Sequence, residues 1–284
     1  MGSSLTGGSP SAGENCEFVD SDGDGAVALE DLEAFLTALS TSGPTATLPA
    51  GYVLADVVRG GLLYTKWWLV NGATEPLFDP PNENHPLYPD EIPGVLGQQS
   101  GSTTFRCKEC HGWDYKGLDG AYGAGSHRTD IVGIQSTTLT PQALFDLLKS
   151  SDTAAGGHDM TELGMSDRDL WDAVKMSLEG VIETDDYIDE SGAFFIDDPS
   201  GAGANLFGSI CAACHGPDGD AINFGSLADP EYVGTIAAGN PWEFMHHVRF
   251  GHPASPMPSF ELLQISLPLI RIALIGKYAA TLPQ

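Results

Sequence analysis

Two short motifs constrain this chain more than any other feature: Cys107-Lys108-Glu109-Cys110-His111 and Cys211-Ala212-Ala213-Cys214-His215. Each sets two thiols one helical turn apart with a histidine directly behind the second, and each is followed by glycine (Gly112, Gly216). Thiols at that spacing can each add to a vinyl group of one porphyrin, which leaves the adjacent imidazole beneath the iron as proximal ligand. The pairs therefore predict two c-type haems, one on Cys107 and Cys110 with His111 axial, the other on Cys211 and Cys214 with His215 axial. The competing chemistries are a redox-active dithiol and one zinc site built from all four thiolates. The long separation of the pairs and the histidine after each weigh against both. Cys16 is left over, as a free thiol or as a point for an intermolecular disulfide, the latter permissible outside the cytoplasm.

The flanks of the second motif carry a resemblance. Gly203-Ala204-Asn205-Leu206-Phe207 precedes it, Gly216-Pro217-Asp218-Gly219 follows it, and Met257-Pro258-Ser259-Phe260 stands downstream. From about residue 197 to 284 this resembles a class I cytochrome c domain: first helix, haem-binding turn and distal methionine loop. The resemblance implies Met257 as the sixth ligand, with nearby His252 as its competitor. The chain then predicts a closing helix from about Ser266 to Leu282, with Ser266 as cap and Pro268 in the first turn. Leu267, Ile270, Leu274, Tyr278 and Leu282 recur at helical spacing as its packing face.

The first motif reads as a modified copy of the same domain. Gly60-Gly61-Leu62-Leu63-Tyr64 echoes Gly203 to Phe207, so a first helix is expected from about Val53 to Leu69. A Pro-rich insertion, residues 71–105, then intervenes before Cys107. Six prolines (Pro76, Pro80, Pro81, Pro86, Pro89, Pro93) forbid a helix there. Its apolar residues Leu77, Phe78, Leu87 and Tyr88 favour wrapping over a haem edge or over the face between domains. The block from Cys107 to Gly117, with Gly120 to His127 behind it, is similar to a subgroup of multihaem bacterial c-type cytochromes. Ser166 caps a helix predicted over 167–178, with Leu170, Trp171, Val174 and Leu178 on its buried face. In class I cytochromes the distal ligand lies just upstream of such a helix, so His158 and Met160 both qualify. Arg106, His127 and Arg128 are candidate partners for haem propionates. The remaining histidines, His85, His246, His247 and His252, read as surface or supporting residues.

Charge narrows the partners. Thirty-nine acidic residues face 12 basic ones, a net of −27. That surface repels nucleic acid, which needs clustered Lys and Arg to neutralise phosphates. A redox partner protein with a basic docking patch is expected instead, with association that weakens in salt. No apolar run is long enough to span a bilayer. The Gly/Ser-rich stretch from Gly2 to Gly13 reads as the tether of a processed chain.

A further site stands near the start. Asp20, Asp22 and Asp24 occupy the first, third and fifth places of a twelve-residue loop, Gly23-Asp24-Gly25 makes the turn, and Ala26 and Asp31 fill the seventh and last places. Alternate carboxylates with a turn glycine suit a hard cation, Ca²⁺. Asp31 replaces the usual bidentate Glu, which resembles the dockerin-type variant of the EF-hand loop. Leu29, Leu32, Phe35, Leu36 and Leu39 form the stripe of an exiting helix. A single such loop predicts a calcium-stapled appendage rather than a cohesin-binding module.

The sequence thus predicts a mainly α fold: an appendage over residues 1–44, a first cytochrome c domain over 45–185, and an acidic linker (Glu183 to Pro199) with a second domain over 186–284. The expected function is electron transfer between protein partners in the periplasm or at the cell surface. Two alternatives stand beside it: a redox enzyme with a labile first haem acting on a small substrate, and a haem-bearing subunit of a larger oxidoreductase or filament.

Overall fold

Asp56 begins the first long helix. Its carboxylate accepts the backbone N–H groups of Val58 and Arg59, donors that a helix start otherwise leaves unpaired. Helix α1 runs over Val57–Asn71 and kinks at Lys66. It starts later than the expected Val53 because the cap fixes it there. The computed structural model describes residues 48–76, 83–261 and 268–284. The calcium loop, its helix and Cys16 lie outside the described residues, as do Leu77 and Phe78 of the insertion. Pro49–Gln284 forms one compact unit.

After α1 come α2 (Cys107–His111), α3 (Pro141–Lys149) and α4 (Asp167–Lys175). Ser166 and Asp169 form a reciprocal capping box at the start of α4, as the sequence predicts for Ser166. A wider turn, Met176–Gly180, continues α4. Leu170 and Val174 are fully buried on its inner face. The second half holds α5 (Ala202–Leu206), a wide turn Phe207–Cys211, α6 (Ala212–His215), α7 (Val233–Gly239), α8 (Pro241–Phe250) and α9 (Leu269–Ala279). The chain is mainly α-helical, and among the described residues no β-strand forms, only isolated bridges such as Gly117 with Val132.

One packing device occurs twice. A Cβ added to Gly60 of α1 would lie 2.1 Å from the carbonyl oxygen of Asp172 on α4. A Cβ added to Gly203 of α5 would likewise lie 2.1 Å from the carbonyl oxygen of Leu274 on α9. In each half, glycine lets the helix before the motif touch the backbone of the helix at its far end. Arg59 reinforces the first crossing through ion pairs to Asp169 and to Asp172, the latter at 2.6 Å.

Four expectations change. Helix α9 begins at Leu269 with Pro268 in the cap position, and Ser266 lies outside the described residues. Its buried stripe is Ile272, Ala273, Ile275 and Ala279, while Ile270 is 43% exposed. The helix is apolar around most of its girth, so spacing alone does not select the face; the small residues Ala273 and Gly276 do, and Phe194 packs where a Gly276 side chain would stand. The segment expected as an acidic linker is built into the core: Ile188, Phe194 and Ile196 are all buried. Finally, His246 is completely buried rather than peripheral.

His246 joins the halves. Its Nδ1 accepts the hydroxyl of Tyr115 at 2.7 Å. Its Nε2–H faces the carbonyl of Gly61 and the hydroxyl of Thr65, both at 3.0 Å. One neutral tautomer satisfies all three, and burial pushes the ring's pKa well below the ordinary histidine value. Around it a single apolar cluster runs from Tyr64, Trp113 and Met176 to Phe244, Met245 and Phe250.

Candidate haem sites

Arg106 is extended and Gly112 leaves helical geometry, so Cys107–His111 makes little more than one turn of helix. That turn presents Cys107, Cys110 and His111 to a cavity of about 360 Å³. Facing them are His158, Met160 and Met165 from the segment between α3 and α4, with Val174 and Met176 behind. The insertion supplies a further wall through His85, Leu87, Thr104 and Phe105. The lining is largely aliphatic and aromatic with a few placed nitrogens, the composition of a cofactor cleft.

The nitrogens are placed in a specific way. His111 Nδ1–H donates to the carbonyl of Val132 at 2.7 Å, which fixes the ring and frees Nε2. The His158 ring stands opposite, with centres 6.2 Å apart and planes 26° from parallel. With about 2.0 Å for each metal–imidazole bond and roughly 1 Å more to each ring centre, two trans imidazoles stand about 6 Å apart. The pair thus has the spacing that a shared iron requires. Burial, then the neighbouring His111 and His85, lowers the His158 pKa to about 4. A neutral ring keeps the lone pair that a metal needs. Met160 is also buried, packed among Phe105, Met165 and Leu170.

Of the candidate propionate partners, Arg106 lines the cavity; its Nε donates to the carbonyl of Thr65 at 2.8 Å. His127 instead pairs with the fully buried Glu109 at 2.7 Å, and Arg128 pairs with Asp130 at the surface. Lys108 is buried too, bound to Glu109 at 2.7 Å and resting over the Trp113 ring. Burial alone would raise the Glu109 pKa, but His127 and Lys108 together hold it below the usual carboxylate range.

At the second motif, α6 ends on His215, whose Nδ1 is buried without a hydrogen-bond partner among the described residues. The Phe224 ring lies 6.0 Å from it. Cys211 and Met257 are both half-buried against the same apolar cluster. The loop carrying Met257 folds back on α8: Ser259 Oγ donates to the carbonyl of Arg249 at 2.7 Å and Phe260 N–H to that of Val248 at 3.3 Å. His252 turns its ring to His247, centres 4.8 Å apart.

Among the described residues no three His, Cys, Asp or Glu side chains gather where they could hold a metal ion, so the four cysteines are not brought together as one site. Burial pushes the thiols of Cys107 and Cys211 up to about 11. His85, read from the sequence as a surface or supporting residue, lies in the cavity wall. The available signal was the Pro-rich insertion itself, since a long loop on a compact body needs something to cover.

The family model described as Cytochrome C oxidase, cbb3-type, subunit III matches residues 199–266, the span that holds Cys211, Cys214, His215 and Met257. No curated protein and no solved structure matches the chain. Among the described residues no helix is long and apolar enough to cross a membrane. The match supports a c-type cytochrome domain over residues 199–266, and with it haem binding and electron transfer.

Proposed function

We propose that the chain is a dihaem c-type cytochrome that passes electrons between protein partners in the periplasm or at the cell surface. The observation that carries the dihaem reading is the His111–His158 pair, spaced for one metal across the cavity that Cys107 and Cys110 line. The repeated glycine crossing, Gly60 on Asp172 and Gly203 on Leu274, supports two tandem domains of one type, 45–185 and 186–284. Each haem, when bound, supplies a one-electron Fe(III)/Fe(II) couple.

The chain's own residues do the rest. Cys107 with Cys110, and Cys211 with Cys214, hold the two groups covalently. His111 and His158 ligate the first; His215 and Met257 ligate the second. Val132 orients His111 through its carbonyl. Arg106 neutralises a propionate, while His127 and Arg128, held by Glu109 and Asp130, serve the surface around it. The acidic surface favours a partner with a basic patch. The loop of Asp20, Asp22, Asp24, Ala26 and Asp31 binds one Ca²⁺ and staples the appendage; its support is the alternation of carboxylates in the sequence.

Electron paramagnetic resonance of the oxidised holoprotein tests this reading: two low-spin ferric haems with different axial pairs are expected. A high-spin component in the resting protein favours the enzyme alternative instead. A second reading, a haem-bearing subunit of a larger oxidoreductase, is favoured by the family description of residues 199–266. Size-exclusion chromatography of the holoprotein, with and without a calcium chelator, separates it from a free carrier.

A further inference from the structure

We propose that His85 is a positioning residue, and that the described part of the Pro-rich insertion, residues 83–105, is a strap holding His158 opposite His111. This deepens the reading of His158 as distal ligand and rests on it. His85 is 6% exposed and shares the cavity with both other imidazoles. Its ring lies 6.4 Å from that of His158 and edge-on to Phe105, centres 5.1 Å apart. It is thus wedged between the distal segment and the residue two places before Cys107.

Hydrogen bonds fix the wedge. The backbone N–H of His85 donates to Thr104 Oγ1 at 2.9 Å, and that hydroxyl donates to the carbonyl of Gly101 at 2.8 Å. The ring's Nδ1 accepts the N–H of Leu87 at 3.1 Å. Nδ1 being an acceptor, the neutral ring carries its proton on Nε2. Asp159 next to His158 adopts a positive φ of 52°, a conformation a free loop seldom keeps and a supported one can. One imidazole therefore ties the approach to α2 to the segment that presents His158. Such a supporting contact commonly decides whether a ligand stays in place.

The test uses the full-length holoprotein. His85→Phe keeps the ring packing on Phe105 and removes the ring's hydrogen bond from Leu87. The expected result is a high-spin fraction at the first haem and a several-fold gain in carbon monoxide binding by the ferrous protein. His85→Gln, which can accept from Leu87, restores low-spin ligation in large part. Independently of the haem, amide exchange at Gly157 to Met160 rises in His85→Phe while α4 keeps its protection. If His85→Phe disturbs folding, Thr104→Val, which removes only the anchor of the His85 backbone, is expected to move the same readouts less. Low-spin, carbon monoxide-inert protein with unchanged exchange in His85→Phe, or in Thr104→Val where that replaces it, overturns the proposal. His158→Ala separates the two levels. If it leaves the first haem low-spin, the ligand assignment fails; if it opens that haem while His85→Phe does not, only the strap fails.

Discussion

The imidazoles of His111 and His158 face each other across the first cavity with their centres 6.2 Å apart. If that spacing reports a shared iron, removing one ring removes a ligand. His158→Ala is expected to convert the first haem to a high-spin spectrum, and Met160→Ala to leave it low-spin. Optical and paramagnetic resonance spectra of the two variants check this. The reverse outcome moves the ligand to Met160.

The two proximal histidines differ in support. His111 Nδ1–H is bound to Val132, whereas His215 Nδ1 is buried without a partner among the described residues. A hydrogen-bonded proximal ring is more basic and stabilises ferric iron, and a methionine ligand favours the ferrous state. The first haem is therefore expected to titrate at the lower potential in a two-step redox titration. Met257→Ala is expected to abolish the weak near-infrared sulfur-to-iron band and to lower the upper potential. A band that survives the substitution contradicts the assignment of Met257.

Much of this was legible in the sequence, for reasons that differ by residue. The motifs were readable because their chemistry demands adjacency: both thiols and the proximal imidazole must share one helical turn. Ser166 was readable because a cap acts within three residues. His158 against Met160 was not, since both stand in the same segment and only the fold decides which side chain faces His111. The linker misled through its charges: Asp185 points outward, 70% exposed, while Ile188, Phe194 and Ile196 turn inward. His246 was hidden because its partners, Gly61, Thr65 and Tyr115, are distant in sequence.

Asp169 links cap and crossing. Burial alone would raise its pKa, but bonds from Ser166, Arg59 and Asn71 hold it below the usual carboxylate range. With the folded value below the unfolded one of about 3.9, its stabilising effect is complete above the unfolded value. It fades as pH falls through the folded one. Asp169→Asn is expected to cost about 2 kcal/mol at neutral pH and to flatten the acid limb of stability. Denaturant melts across pH check this; an unchanged acid limb contradicts it.

Close helix approach at Gly203 leaves no room for a side chain, since a Cβ there would meet the Leu274 carbonyl at 2.1 Å. Gly203→Val is expected to destabilise the second half by about 3 kcal/mol and to lower the yield of holoprotein. Gly208, whose Cβ would meet nothing within 4 Å, serves as control: Gly208→Ala is expected to be tolerated. Equal stability of both variants in thermal melts would sink the crossing argument.

The account depends above all on covalent attachment at both Cys107/Cys110 and Cys211/Cys214. Mass spectrometry of the denatured protein, expressed in a host competent for c-type maturation, measures it directly. The expected mass is the polypeptide plus two haem groups, falling to one when Cys107 and Cys110 are both replaced by Ala. A wild-type mass carrying a single haem, or none, contradicts the central claim.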